Sequence, residues 1–309
     1  MITTGFIEID KKINWLEIPA LIVVGGIPSG DIVSFLTSLI KNLSIDNNIP
    51  TTYFNFQSNN NLLFNRFISN ITEIPLKKFL TKNFSDDELH KIFSKENILK
   101  DSPIVFEQNF SDLNIKELKA KIINSIQQNS SRIFIFDNIQ TLHNLLHNND
   151  SSILIDQTIR ELKSISKELD ITIIFGSDIN DANKRLDKRP KLLDFYSYTQ
   201  IEDIADLIFL IYVPKSYKIT VWDNDEDGME TSTENQAELI IAKNRNGATG
   251  TVRLSYFMDI AKFENLNGFS HYHSPNGFNK IKTTIDLESA FGIKQNTLSM
   301  NDDDDDFTF

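Results

Sequence analysis

The chain has 309 residues and a formal net charge of −12. Eleven of its 43 acidic residues lie in two short segments without Lys or Arg, 223–234 and 302–306, so the other 32 nearly balance the 31 basic residues. This local acidity argues against a strongly basic surface without excluding a nucleic-acid partner. The absence of Cys excludes a disulfide framework, a thiolate metal site and a Cys nucleophile.

The sequence predicts neither a metal site nor a membrane anchor. The five His are scattered, and we identify no pair at the spacing of helical metal ligands; His271 and His273 alternate in a polar stretch, which is a weak signal. No apolar run approaches the roughly 20 residues that span a bilayer. The first residues lack the basic region and apolar core of a signal peptide. We therefore expect a cytoplasmic protein.

Apolar β-rich runs alternate with helical patterns along most of the chain. Strands are predicted at 20–25, 51–56, 103–106, 132–137, 170–175 and 206–213, and helices at 32–43, 59–71, 115–126 and 153–169. From Tyr217 the pattern changes to β runs joined by turns, at 218–222, 237–243 and 251–257. This order predicts an α/β fold with a mostly parallel sheet, helices on both faces and a C-terminal β-hairpin region.

The composition divides the chain into three parts. Residues 1–266 are predicted to form the folded domain, and residues 267–300 a flexible polar linker with one short helix at 287–291. Residues 301–309 form an acidic tail that ends in Phe.

The turn after the first strand has the glycine spacing of a phosphate-binding loop without its charge. In GxxxxGK[ST], backbone amides hold phosphates, the Lys reaches the β and γ oxygens, and the hydroxyl holds Mg²⁺. Gly25 and Gly30 fit this spacing, but Asp31 and Ile32 follow them, and no Lys or Arg occurs between Lys12 and Lys41. An acid here would repel phosphates and an aliphatic residue cannot ligate Mg²⁺. On these residues alone, a simple glycine turn between strand and helix is favoured over a nucleotide site.

Seven segments follow one another in order along residues 3–266. They are TTGFIEID from Thr3, the strand, loop and helix at 21–39, RIFIFDNIQ from Arg132, LKSISKEL from Leu162, DKRP from Asp187, IEDIAD from Ile201 and AKNRNGATG from Ala242. Together they resemble the C-terminal, RecA-like motor domain of the DnaB family of replicative helicases. The resemblance implies a RecA-like P-loop NTPase fold, ATP and Mg²⁺ as ligands, and a hexamer-like interface with other helicase subunits or with itself.

The chain departs from this family where nucleotide chemistry takes place. The nucleotide-binding loop that the resemblance implies comprises Gly25, Gly26, Pro28, Ser29, Gly30, Asp31, Ile32 and Val33. Without gaps, Ile32 stands at the P-loop Lys and Val33 at the Ser/Thr. An alignment shifted by one residue puts Asp31 and Ile32 there instead, so the Lys is absent either way. Gln57 replaces the catalytic Glu, and an amide cannot accept the proton of an attacking water. A DNA-contacting Arg of the family is Tyr196 here.

Other family positions are retained. Asp137 stands at the Walker B position, where a structural role and a residual Mg²⁺ role are equally open. Lys243 and Arg245 match residues that in the family project into the neighbouring subunit's ATP pocket. The alternative is a surface hairpin turning at Asn246-Gly247, and we favour the inherited interface. The compact basic cluster comprises Lys184, Arg185, Lys188 and Arg189. It is equally consistent with contact to DNA phosphates and with a solvated loop.

The tail resembles the acidic tip of single-stranded-DNA-binding proteins. Its relevant residues are Asp302, Asp303, Asp304, Asp305, Asp306, Phe307 and Phe309. We favour docking of this segment on a basic, apolar pocket of a replication protein over a role in solubility alone.

These patterns predict a degenerate, accessory member of the helicase family in DNA replication, with little or no ATPase activity of its own. The partners expected are subunits of a replicative helicase, replication proteins that bind acidic Phe-terminated tails, and weakly bound single-stranded DNA. Two alternatives stay open: an active ATP-dependent helicase, and a pure interaction module or decoy that uses the acidic tail.

Overall fold

The computed structural model describes residues 2–13, 16, 18–56, 60–108, 110, 113–148, 154–180, 185–195, 200–222 and 231–266. Within these ranges nine strands form one sheet: β1 (Ala20–Gly26), β2 (Thr51–Asn55), β3 (Ile104–Glu107), β4 (Ile133–Asp137), β5 (Thr172–Asp178), β6 (Leu207–Tyr212), β7 (Gln236–Asn244), β8 (Gly250–Phe257) and β9 (Lys262–Asn265). The helices are α1 (Ile7–Ile13), α2 (Asp31–Ile40), α3 (Asn60–Thr72), α4 (Leu76–Thr81), α5 (Asp86–Asp101), α6 (Ile115–Asn129), α7 (Ile139–Leu146), α8 (Ile155–Leu169) and α9 (Ile201–Ile204).

The sheet is parallel from one edge to its middle and antiparallel beyond. Its strand order is β3-β2-β4-β5-β1-β6-β7-β8-β9. The strands from β3 to β6 pair in parallel, and β7, β8 and β9 continue the sheet in antiparallel pairs. This arrangement confirms the predicted α/β fold with a C-terminal β-hairpin region.

The central strands form the core because both of their faces are apolar and covered by helices. All seven residues of β1 are buried. On one face, Phe35 and Leu39 of α2 join a cluster that includes Phe67 of α3. On the other face, Ile159 and Leu162 of α8 pack in a second cluster. Because the strands from β3 to β6 are parallel, their carboxyl ends lie together at one end of the sheet, where ligands of open α/β sheets bind.

Within the described residues, the predicted elements are present with shifted ends, except one. Residues 218–222 do not form a strand; only Val221 bridges to Ser232, because a 3₁₀ turn at Pro214–Tyr217 ends with Lys218 at a φ of 59°. The helix that follows β1 is α-helical to Ile40 and then a π-helix at Lys41–Asp46. The short helix predicted at 287–291, the linker and the acidic tail lie outside the described residues. Among the described helices, none is long and apolar enough to cross a membrane.

Candidate functional site

A cavity of about 320 Å³ lies at the carboxyl ends of β1, β2, β4 and β5. Its wall on one side is the loop from Ile27 to Gly30 together with Ile32 and Val33 of α2. The opposite wall comes from α3, and the end of the sheet supplies Asn55, Asp137, Asn138 and Asp178. The loop that the sequence singled out and the Walker B position therefore share one cavity.

Ile32 fills the floor of this cavity with hydrocarbon. Its side chain is 5% exposed. A Cβ built on Gly26 would lie 3.0 Å from Cγ1 of Ile32, and one on Gly176 would lie 2.9 Å from its Cγ2. The side chain is thus packed on the neighbouring strands β1 and β5, at two positions where glycine leaves room for it. Ile32, which the resemblance aligns with the phosphate-binding Lys, is therefore a packing residue.

Asp31 faces away from the cavity, contrary to the expectation that it would repel phosphates there. The hydroxyl of Tyr256 on β8 donates to Oδ1 of Asp31 at 2.7 Å, and the hydroxyl of Ser29 donates to Oδ2 at 2.5 Å. The carboxylate is buried, and the described lining of the cavity does not include it. Burial, followed by the charge of Asp31, raises the pKa of Tyr256, so the phenol stays a donor.

Arg66 of α3 places a cation beside this loop, and the sequence did not predict that contact. Its Nη1 donates to the carbonyl of Gly30 at 3.3 Å and lies 3.2 Å from the hydroxyl of Ser34. Gly30 has a φ of 85°, and a Cβ there would lie 2.5 Å from Nη2 of Arg66. Glycine is therefore required at this position for the guanidinium to approach. No local motif could have revealed Arg66, because it lies 36 residues along the chain from its partner.

Asp137 ends β4 at the back of the cavity and is 3% exposed. Burial raises its pKa to about 6; an interaction with Tyr53 opposes the shift, the charge of Asp178 adds to it, and the charge of Arg66 opposes it. Burial also raises the pKa of Asp178. Asn138 donates to Oδ2 of Asp178 at 3.4 Å. The described residues contain no group of three or more His, Asp or Glu able to hold a metal ion.

Lys243 and Arg245 lie at the end of β7, and neither belongs to the described lining of this cavity. Lys243 donates to the carbonyl of Ala205 at 2.6 Å and to that of Glu202. Nη1 of Arg245 lies 3.1 Å from Oδ1 of Asp206, and 44% of its side chain is exposed. The structure therefore holds both cations at the surface beside the segment 202–206.

The described members of the basic cluster make contacts within the chain. Nη1 of Arg185 lies 2.6 Å from Asp194. Nε of Arg189 lies 2.6 Å from Oε2 of Glu238, which is 1% exposed, and its guanidinium lies 5.1 Å from the ring centre of Tyr212. Contact of this cluster with DNA stays a prediction. Lys184, Gln57, Tyr196 and the acidic tail lie outside the described residues.

A family model described as the DnaB-like helicase C terminal domain matches residues 1–265. The chain belongs to this family. The replicative DNA helicase DnaB of Haemophilus influenzae is 29% identical over 268 residues, which are 86% of this chain and 55% of that protein. The corresponding helicase of Pasteurella multocida is 28% identical over the same share of each chain. The chain thus spans about half the length of the curated relatives it matches.

Two solved structures share the fold of this DnaB-like domain. One is described as an ATPase domain, with a TM-score of 0.73 and 24% identity over 86% of this chain and 91% of that chain. The other is a DnaB-like replicative helicase, described with its interactions with primase; it has a TM-score of 0.73 and 25% identity over 86% of this chain and 62% of that chain.

The DnaB-like domain also contains a His pair, His143 and His147, that was not predicted from the sequence. His143 and His147 are four residues apart on and just after α7, so the expectation of no His pair at helical spacing is wrong. Nδ1 of His143 and Nε2 of His147 lie 2.8 and 3.0 Å from the hydroxyl of Thr158 on α8. The shared hydroxyl joins α7 to α8, which gives the pair a structural role.

Proposed function

We propose that this DnaB-like domain is a pseudo-ATPase that serves DNA replication as an accessory subunit of a helicase assembly. One observation carries the proposal: Ile32, at the position of the phosphate-binding Lys, is packed between Gly26 and Gly176. Ile32 supplies no cation at the Lys position, and Val33, which follows it, supplies no magnesium-binding hydroxyl at the Ser/Thr position. Charge stabilisation by these groups supplies several kcal/mol of the barrier reduction in phosphoryl transfer.

The residues present do not fit a magnesium-bound triphosphate. Burial raises the pKa of Asp137 to about 6, so its carboxyl is mostly ionised near pH 7, but the aliphatic Val33 supplies no second magnesium ligand. The nearest hydroxyl of α2, that of Ser34, donates to the carbonyl of Gly30 at 3.0 Å. We therefore expect no ATP hydrolysis in this cavity.

Lys243 and Arg245 would complete the nucleotide site of an adjacent, active helicase subunit. The carbonyls of Glu202 and Ala205 and the carboxylate of Asp206 orient these cations at an exposed surface. Preorganised cations of this kind stabilise the charge of a transferring phosphoryl group. The acidic tail, residues 301–309, would recruit replication proteins across the linker at 267–300.

Arg66 favours a second candidate, an active ATP-dependent helicase that uses a substitute cation. Its guanidinium faces the cavity at the loop that would hold phosphates, and its Nη1 bonds are 3.2 and 3.3 Å long. Long bonds of this kind are easily exchanged for a charge-assisted bond to phosphate. A third candidate, a pure interaction module or decoy, depends on the tail alone.

The deciding experiment measures DNA-stimulated ATP turnover of the purified chain, alone and mixed with an active DnaB-family helicase. We expect no turnover by the chain alone, and a fall in turnover of the mixed assembly when it carries Arg245→Ala. The matched control is Arg132→Ala, whose exposed guanidinium lies 3.6 Å from Asp170. Robust turnover by the chain alone would establish the active helicase. An unchanged mixed assembly with Arg245→Ala, together with partner binding lost on deletion of 302–309, would favour the interaction module.

A further inference from the structure

A second cavity, of about 400 Å³, lies beside α8 and is lined by a different set of residues from the loop cavity. Arg160, Lys163 and Lys167 of α8 line it, with Arg245 of the hairpin and Asp203 and Ile204 of α9. The three α8 cations share one face because they are three and four residues apart. We call this cavity the α8 groove.

The α8 groove holds an excess of positive charge over the carboxylates beside it. Lys163 and Arg245 share one carboxylate, that of Asp206, which also accepts the amide of Leu21 at 2.8 Å. Arg160 donates to the neutral amide of Gln200. Within the part of the chain that the structure describes, no carboxylate pairs with Lys167, whose side chain is exposed.

With Lys243 included, five cations face three carboxylates in and behind the groove, those of Glu202, Asp203 and Asp206. Lys243 lies behind it, and burial, followed by the charge of Arg245, lowers the pKa of Lys243. Positive charge is thus concentrated at this surface, and such a surface favours an anionic occupant.

We propose that the α8 groove binds the acidic segment Asp302–Asp306 of the same chain. Five consecutive carboxylates complement the excess cations of the groove. The intervening residues, 267–301, number 35 and could span up to about 120 Å if extended. A domain of this size has a radius of gyration of about 18 Å, so the segment can reach any part of its surface.

Tethering is the reason to favour this segment over a free anion. A covalently linked segment is present at a high effective concentration at the groove, whereas DNA must compete by its own affinity. Carboxylate bonds to guanidinium and ammonium groups are charge-assisted and strong. Phe307 and Phe309 follow the acids closely enough to cover Ile204 and the methylene stems of the α8 cations.

Docking of the segment would cover Arg245 and so compete with its use by a neighbouring subunit. This consequence rests on the proposed function, whereas the docking itself does not. An active ATPase in the purified chain would overturn the pseudo-ATPase proposal and leave the docking to be tested by its own experiment.

The test replaces Phe307 in the full-length chain with the photo-crosslinking amino acid benzoyl-phenylalanine and maps the crosslinked peptides by mass spectrometry. We expect crosslinks to peptides of α8 and of residues 200–206, and their loss when the ionic strength is raised from about 0.05 to about 0.5 M, where exposed charges are screened. The double variant Arg160→Glu, Lys167→Glu should lose these crosslinks.

The matched control is Lys77→Glu, Lys82→Glu, which reverses two exposed charges on and beside α4 and should leave the crosslinks in place. Mixing isotope-labelled and unlabelled chains separates docking within one copy from docking between copies. Crosslinks elsewhere, crosslinks that survive the α8 reversal, or crosslinks only between copies would overturn the proposal. Weakened single-stranded DNA binding by the α8 variant, with no crosslink to α8, would assign the groove to nucleic acid and overturn it as well.

Discussion

The loop cavity and the β7–β8 hairpin differ in the charged groups that they present. In the loop cavity, hydrocarbon occupies the position of the phosphate-binding cation, and Asp31 is turned toward Tyr256. At the hairpin, Lys243 and Arg245 remain, and Asp206 and two backbone carbonyls orient them. The two regions therefore need not serve one purpose: under the proposed function, a subunit that gives cations to a neighbour need not hold a nucleotide itself.

Among the changes considered, Ile32→Lys is expected to have the largest effect on the loop cavity. A Lys at this floor position would bury an ammonium between Gly26 and Gly176, and we expect a loss of about 3–5 kcal/mol in the free energy of unfolding. Denaturant unfolding measures it, with Leu80→Lys at an exposed position of α4 as the control. A stable Ile32→Lys variant that gained nucleotide affinity would show instead that the loop cavity is a phosphate site lacking only its cation.

The pH dependence of stability tests the burial of Asp137. Its folded-state pKa, about 6, lies above the ordinary value of 3.8, so the folded protein binds more protons between these values. The contribution of Asp137 to stability is therefore full below about pH 4 and is lost as the pH rises through 6, by roughly 3 kcal/mol. Asp137→Asn should flatten this part of the curve relative to the unmodified chain. An unchanged slope would contradict the assigned pKa.

Asp206→Asn sharpens the hairpin side of the comparison with a smaller effect. The amide can still accept from the backbone of Leu21, but it no longer neutralises Lys163 and Arg245. We expect a loss of about 1–3 kcal/mol in the free energy of unfolding. Asp170→Asn, at an exposed ion pair with Arg132, is the control and should change stability by under about 1 kcal/mol. Equal effects of the two changes would show that Asp206 does not organise the hairpin cations.

Much of the fold could be predicted because the central strands are continuous apolar runs. α8 was predictable too, since its apolar residues lie along one face. α5 was not, because only Ile92 and Leu99 of its sixteen residues are buried and its start is set by a local capping box of Ser85 and Glu88. β9 was not predicted either, because its four residues are mostly half-exposed and gain their register only from β8.

The candidate site, like the fold, could be predicted only in part from the sequence. The sequence by itself determined which residue types occupy the loop after β1, and so predicted that the phosphate-binding Lys and the magnesium-binding hydroxyl are missing. Only the tertiary structure decided where the remaining charges point: Asp31 toward Tyr256, 225 residues away, and Arg66 toward Gly30. The physical reason is that local patterns record burial and periodicity, whereas the partner of a charged side chain depends on which strands and helices the folded sheet brings together.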